Sequence, residues 1–138
     1  MIKEISLFLP NYPGMLSQLV KLLRANDINL IAISVAQAKD YGLVMIIVDK
    51  PSECIDLLEE NNYELSVKEV IAVKMSASAE IINDIAELMG TNNVNIEYMY
   101  STLLKSRKNE AFIILHTDNN QKAFLLLKEK GLFPLESI

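Results

Sequence analysis

The chain has 138 residues, of which 51% are apolar and 22% are charged, with a formal net charge of −5 and one cysteine. These values predict a globular protein of one ordinary domain or two very small ones. A surface that binds nucleic acid needs a concentrated basic face. The densest basic cluster is Lys105, Arg107 and Lys108, so we expect no nucleic-acid partner.

The sequence also gives no indication of a membrane-spanning helix or a signal peptide. No apolar run approaches the ~20 residues that a membrane-spanning helix needs, and the first residues, MIKEISLFLP, show no small-residue cleavage site. A single cysteine cannot form an internal disulfide, which is typical of proteins from a reducing compartment. We therefore expect a cytoplasmic protein with no membrane partner.

The hydrophobic spacing predicts two similar series of elements in chain order. The first series is a strand (2–9), a helix (13–25), a strand (28–38), a turn (39–42), a strand (43–48), a helix (51–61) and a strand (64–68). The second series is a strand (69–75), a helix (79–91), a strand (94–104), a strand (110–117), a helix (119–130) and a short strand (132–137). Both series read βαββαβ.

The two series also agree residue by residue. A displacement of 66 positions places Leu19 on Ile85 and Asn29 on Asn95, whereas a displacement of 69 places Asp49 on Asp118. The difference assigns about three extra residues to the second hairpin, around positions 105–109. The chain therefore contains an internal repeat. The first copy ends, and the second begins, near residue 68.

Each copy is predicted to be a ferredoxin-like unit of the α+β class, in which an antiparallel sheet carries two helices on one face. The predicted units are 1–68 and 69–138. A unit of this size is only marginally stable alone, because a small domain buries too little of its surface. The linking sequence SVKEVIAVKM has no glycine or proline, so we expect the units to be rigidly joined.

The segment NYPGML forms an elbow between the first strand and the first helix. Pro13 lacks an N–H group, which costs nothing at a helix start, and Gly14 has no Cβ to keep another group away. The N–H groups of Gly14, Met15 and Leu16 have no acceptor inside the helix and carry the positive end of its dipole. Such a place suits a carboxylate. Asn11 would either cap the helix or bind a ligand's ammonium group, and ordinary capping remains an alternative to a ligand site.

These residues resemble the ACT domain. The resemblance rests on three features: the pattern Asn-x-Pro-Gly-x-Leu, the amphipathic helix after it, and the Ile-Asn-Leu that begins the second strand. All three lie within ISLFLPNYPGMLSQLVKLLRANDINLIAISVAQAKDYGLVMIIVD. The second copy matches in NNVNIEYMYS and AFIILHTDNNQKAFLLLKEKG. The resemblance covers essentially the whole chain, and it is greatest to stand-alone proteins that consist of two ACT units.

The resemblance implies a regulatory protein that binds an amino acid. No nucleophile–base pair, metal cluster or phosphate loop is visible in the sequence, so we expect a non-catalytic protein with no cofactor and no metal. The resemblance also implies that the elbow of one unit faces the start of the second strand of another, with the ligand between them. The residues that it implies are Asn11, Tyr12, Pro13, Gly14, Met15 and Leu16 in the elbow, and Asn93, Val94, Asn95, Ile96 and Tyr98 in the facing segment. In this arrangement the amide of Asn95 is the group that hydrogen-bonds the ligand.

The second elbow departs from the family pattern. Ala77, Ala79 and Glu80 stand where the first elbow has its asparagine, proline and glycine. The carboxylate of Glu80 would repel the carboxylate of a ligand. Alternatively, Ser76 or Ser78 caps this helix and Glu80 complements its dipole. Both interpretations predict one ligand site per chain, at the first elbow.

Other functions remain as alternatives. The chain could be a regulatory subunit that acts on an amino-acid biosynthetic enzyme through protein contact. An acylphosphatase-like hydrolase of the same fold would need an arginine in the elbow, which the sequence lacks. We expect His116 to be structural and Cys54 to lie in the core. Tyr98 and Tyr100 would stack nucleic-acid bases in related folds, but the negative charge favours an interface instead.

A homodimer is expected from the strands around 30–36 and 43–48. Both are apolar on both faces, whereas antiparallel sheets usually leave one face to solvent. A second copy of the chain would cover the remaining face.

Overall fold

The computed structural model describes residues 1–10, 12–37, 40–75, 80–102 and 111–137. The chain divides into two compact units, Lys3–Lys68 and Glu69–Ile138, the latter together with Met1–Ile2. Each unit combines antiparallel strands with helices, and the predicted α+β, ferredoxin-like fold class is confirmed.

The first unit follows the predicted order closely. Its elements are β1 (Ile2–Pro10), α1 (Met15–Ala25), β2 (Leu30–Gln37), β3 (Tyr41–Val48), α2 (Pro51–Glu60) and the beginning of β4 (Glu64–Lys74). Strand β3 lies between β2 and β1 and is antiparallel to both, with Ile46 opposite Ile5 on one side and Ile33 on the other.

Alternation along the strands places every second side chain of the first unit against its helices. The fully or nearly fully buried cluster consists of Ile5, Leu7 and Leu9 from β1, Val44, Ile46 and Val48 from β3, Leu19 and Leu23 from α1, Cys54 and Leu58 from α2, and Ile28. Because both helices contribute to one cluster with the same face of the strands, they lie on one side of this sheet. The prediction that Cys54 lies in the core is confirmed, since its side chain is buried.

The second unit repeats this arrangement. Its elements are the remainder of β4, α3 (Glu80–Thr91), β5 (Ile96–Ser101), β6 (Phe112–Thr117) and α4 (Asn120–Glu129). Strand β6 lies between β4 and β5, and Leu115 is opposite Ile71 and Met99. The buried cluster contains Ile71, Val73, Ile81, Ile85, Met89, Val94, Ile113, Leu115, Ala123 and Leu127.

Two predictions about strands are wrong. The strands predicted over 64–68 and 69–75 form one strand, Glu64–Lys74, because no turn residue interrupts that stretch and the backbone stays extended. The strand predicted over 132–137 is reduced to an isolated bridge between Val73 and Pro134. Phe133 has a φ of 35° and Pro134 has no N–H to donate, so a regular ladder cannot form there.

Three helices end in the same way. The C-cap asparagine donates its side-chain N–H to the carbonyl four residues earlier, as Asn26 to Leu22 (2.9 Å), Asn61 to Leu57 (2.8 Å) and Asn92 to Leu88 (2.8 Å). The next residue is left-handed, with φ of 57° at Asp27, 63° at Asn62 and 58° at Asn93. Asparagine and aspartate tolerate this conformation better than other non-glycine residues, so the paired Asn/Asp residues terminate the helices.

Candidate ligand site

The elbow of the first unit is a tight turn between β1 and α1. The N–H of Tyr12 donates to the carbonyl of Pro10 at 3.0 Å, and Gly14 is the N-cap residue with φ 93° and ψ −10°. A left-handed residue cannot belong to an α-helix, so α1 begins at Met15. The prediction of a helix from residue 13 is therefore wrong by two residues, and Pro13 lies in the turn rather than in the first helical position.

Gly14 is required for two reasons, of which the sequence indicated only the second. Its positive φ is strained for residues that carry a Cβ. Beyond its chain neighbours, no heavy atom of the described residues lies within 4 Å of the position that a Cβ would take. The space above the start of α1 is therefore open to an approaching group.

The N-terminal end of α1 carries no compensating negative charge of its own. The first turn of the helix Met15–Ala25 contains no acidic residue. In the second unit, α3 begins at Glu80, which places a carboxylate in the first turn. Asn11 and the second elbow, residues 76–79, lie outside the described residues, so the predicted roles of Asn11, Ser76 and Ser78 stay predictions.

The other elbow residues differ in exposure. Tyr12 is 56% exposed, Leu16 is 38% exposed and Pro13 is also exposed, whereas Met15 is partly buried against the core of the first unit. Tyr12 also lies near Tyr63, which immediately precedes β4. Burial raises the pKa of the Tyr63 phenol, and the neighbouring phenol of Tyr12 adds to the rise.

A cavity of about 520 Å³ opens beside the elbow, entirely within the first unit. It lies between the end of β1, the face of α1 that carries Met15, Gln18 and Leu22, and the turn that joins α2 to β4. The lining residues are Phe8, Leu9, Pro10, Met15, Gln18, Leu22, Asn61, Asn62, Tyr63 and Glu64. We call it the α1 cleft. The sequence analysis missed it, because its walls come from segments that are more than 35 residues apart (Leu22 and Asn61).

The predicted facing segment lies in the second unit, and most of its side chains have a structural role there. Asn93 is the left-handed residue that follows the C-cap of α3, and Val94 is only 5% exposed within the core. Ile96 packs against the same core. Tyr98 stacks on His116, with ring centroids 5.0 Å apart and the ring planes 5° from parallel.

Asn95 is the exposed member of the segment. Its backbone N–H donates to Asp118 Oδ1 at 3.0 Å, and the Asp118 N–H donates back to its carbonyl at 3.0 Å. Within the described ranges its side-chain amide makes no hydrogen bond to another residue. That amide is therefore available to a ligand.

The repeat-equivalent residue Asn29 differs in this respect. Its backbone N–H and its side-chain Nδ2 donate to the two carboxylate oxygens of Asp49, each at 2.9 Å. Burial alone would raise the pKa of the Asp49 carboxyl, but the hydrogen bonds from Asn29 outweigh it and lower the pKa. The sequence analysis did not assign these partners, although the displacement that aligned Asp49 with Asp118 pointed to a common role.

The described residues form neither a metal-binding group nor a membrane-spanning helix. No group of three or more His, Cys, Asp or Glu side chains is placed to hold a metal ion in the part of the chain that the structure describes. In the same part, no helix is long and apolar enough to cross a membrane.

Comparison with known proteins decides the family. The sequence model of a family described as an ACT domain pair matches residues 1–135. This chain belongs to that family. The resemblance found in the sequence is thereby confirmed, and Lys3–Lys68 and Glu69–Ile138 are described below as ACT units.

Solved structures show the same fold. The protein BT0572 from Bacteroides thetaiotaomicron is similar over 97% of this chain and 91% of its own, with 28% identity and a TM-score of 0.87. The regulatory subunits of aspartate kinase from Thermus thermophilus and Thermus flavus are 16% and 14% identical, with TM-scores of 0.64 and 0.59. Each of the two is matched over 92% of this chain and about nine tenths of its own. At those identities the likeness shows the fold alone. No protein of curated function matches the chain.

Proposed function

We propose that this ACT domain pair is a non-catalytic regulatory protein that binds an amino acid at the first elbow. The observation that carries the proposal is the backbone at Gly14, which has a positive φ and which the described residues leave open just before the positive end of α1. The carboxylate of the ligand accepts hydrogen bonds from the first N–H groups of the helix. A helix terminus binds only the carboxylate, so the ligand's second polar group needs another partner.

Asn95 is proposed as that partner, contributed by the ACT unit that faces the elbow. Its exposed side-chain amide supports this assignment, because the equivalent amide of Asn29 is held by Asp49. The family resemblance supports it as well, since it places the start of the second strand opposite an elbow. A hydrogen bond to a charged group of the ligand contributes about 1.5–3 kcal/mol.

The first prediction tests this site with calorimetry. All twenty amino acids are screened by thermal shift, and the affinity of the best ligand is measured for the wild type, Gly14→Asn and Asn95→Ala. Asparagine tolerates a positive φ, so Gly14→Asn places a side chain over the open space while α1 stays formed. We expect both variants to lose about tenfold or more in affinity, with a stoichiometry of one ligand per chain in the wild type.

The matched controls are the mirror substitutions. Asn29→Ala and Glu80→Ala change the positions in the repeat that are equivalent to Asn95 and Gly14. Each variant is first shown to be folded by circular dichroism, and we expect less than a threefold change in its affinity. A larger loss for Asn29→Ala than for Asn95→Ala would contradict the proposed pairing. Two equivalent ligands per chain would contradict the single site.

A second candidate function is that of a regulatory subunit that acts on a metabolic enzyme through protein contact. Two structures with the same fold are regulatory subunits of aspartate kinase, which favours testing this possibility. The test is affinity purification of the tagged chain from its own cells. A stoichiometric catalytic partner would support the subunit role, and its absence together with amino-acid binding would favour the stand-alone sensor.

A further inference from the structure

We propose that the α1 cleft receives the side chain of the ligand, so that the protein recognises amino acids with a large apolar side chain. This inference rests on the proposed function, because it takes the ligand's carboxylate to be bound at the elbow. It goes further by assigning the wall of the specificity pocket to residues that, apart from Met15, the sequence analysis did not single out.

The cleft and the elbow share a residue. Met15 contributes the first N–H group of α1, and its side chain lines the cleft. Gln18 and Leu22 line it three and seven positions further along the helix, which is the spacing of one helix face. A ligand whose carboxylate lies at the start of α1 can therefore direct its side chain along this face into the cleft.

The cleft suits a large side chain. Its volume of about 520 Å³ lies in the range of small-molecule sites, roughly 300–1,000 Å³. The lining is mixed: its apolar part is Phe8, Leu9, Pro10, Met15, Leu22 and the ring of Tyr63, and its polar part is Gln18, Asn61, Asn62 and Glu64. Glycine, alanine or serine would leave most of this surface in contact with water, whereas an aromatic or long aliphatic side chain would cover it.

Charge excludes the acidic amino acids. Among the described residues of the lining, Glu64 is the charged side chain, and none is a lysine, arginine or histidine. The neighbouring end of α2 adds to the negative potential, because Glu59 and Glu60 end that helix and its last turn carries no basic residue. An aspartate or glutamate side chain would enter a negative environment without a partner.

The second prediction measures the affinities of L-phenylalanine, L-leucine, L-alanine and L-aspartate for the full chain by calorimetry. We expect phenylalanine or leucine to bind at least tenfold more tightly than alanine, and aspartate to bind more weakly than alanine. Gln18→Phe fills the cleft from an exposed helix position and should weaken phenylalanine binding at least tenfold. Ala25→Phe adds the same ring to the same helix at an exposed position outside the lining, and it should change the affinity less than twofold.

A measurement on the unmodified protein makes the test independent of the variants. Amide resonances of Asn62 and Tyr63 should shift together with that of Met15 when L-phenylalanine is added. If alanine or aspartate binds as tightly as phenylalanine, or if Met15 shifts while Asn62 and Tyr63 do not, the cleft assignment is wrong and the elbow site stands. If none of the twenty amino acids binds, the proposed function and this inference are both wrong.

Discussion

Cys54 shows how burial alters a single side chain. It lies on α2 with no exposed surface, among the residues that join α1 and α2 to β1 and β3. Burial, with a smaller contribution from the negative charge of Asp49, raises the pKa of its thiol from the ordinary value of 9.0 to about 11. The thiol is therefore protonated and unreactive at neutral pH, which fits a core residue rather than a nucleophile.

The third prediction follows from this pKa. Because the folded state holds the proton more tightly, the thiol's contribution to stability is complete below pH 9 and is lost as the pH rises to about 11. We expect the free energy of unfolding to fall across this window by on the order of 2 kcal/mol more in the wild type than in Cys54→Ala. Urea titrations from pH 8 to 11 measure the difference.

Alkylation supplies the control for the Cys54 prediction. Iodoacetamide should modify Cys54 of the native protein at the rate of unfolding, and rapidly once urea has unfolded the chain. Equal pH profiles for the wild type and Cys54→Ala, or fast alkylation of the native protein at pH 8, would show that the thiol is not protected as the structure indicates.

At the scale of elements, the helix ends explain why asparagine and aspartate stand at positions whose role is ambiguous from the sequence alone. Asn93 was predicted to belong to the ligand site, but it adopts φ 58° immediately after Asn92 ends α3. Val94 then donates its N–H to the carbonyl of Met89 at 2.9 Å, which completes the helix end. The same conformation at Asp27 and Asn62 shows that the Asn/Asp pairs have a common backbone role.

The fourth prediction separates that role from ligand binding. Asn93→Gly should keep both stability and ligand affinity within small changes, because glycine adopts the left-handed conformation at no steric cost. Asn93→Val should lower the free energy of unfolding by roughly 1–2 kcal/mol, because a β-branched residue is strained at positive φ. Urea unfolding and calorimetry measure the two quantities. A loss of affinity in Asn93→Gly at unchanged stability would show instead that its side chain contacts the ligand.

For the molecule as a whole, we predict from the exposed apolar side chains that it associates with another chain. Strand β2 is a terminal strand, and its Val35 is 47% exposed. On β3, Tyr41 is 45% exposed and its ring lies 5.7 Å from that of Phe8, which is itself 38% exposed. Exposed apolar side chains at an unpaired strand edge favour association with another chain.

The fifth prediction is a homodimer in which sheet edges meet. Sedimentation equilibrium at micromolar concentration should give twice the chain mass of 15.5 kDa. Val35→Glu should raise the monomer fraction, because a carboxylate at the edge opposes pairing with a second copy. Gln121→Glu adds the same charge at an exposed position on α4 and should leave the mass unchanged. A monomeric wild type would refute the dimer, and an unaffected Val35→Glu would place its interface elsewhere.

The sequence by itself determined the repeat, the family and the four helices, because these depend on local chemistry and on spacing. Apolar residues at helical intervals predicted helices over 13–25, 51–61, 79–91 and 119–130, and the observed bounds lie within two residues of each. The elbow motif and the displacement of 66 positions were sufficient to identify the ACT resemblance. Neither signal requires knowledge of what a segment packs against.

Only the tertiary structure decided which polar side chains are occupied and where space is left. Asn29 and Asn95 are equivalent in the repeat, yet Asp49 holds the side chain of one while the described residues leave the other unbonded. The positive φ of Gly14 depends on how β1 ends and how α1 packs. The α1 cleft exists because Leu22 and Tyr63 are brought together by the fold, and contacts between distant segments leave no periodic signal in a single sequence.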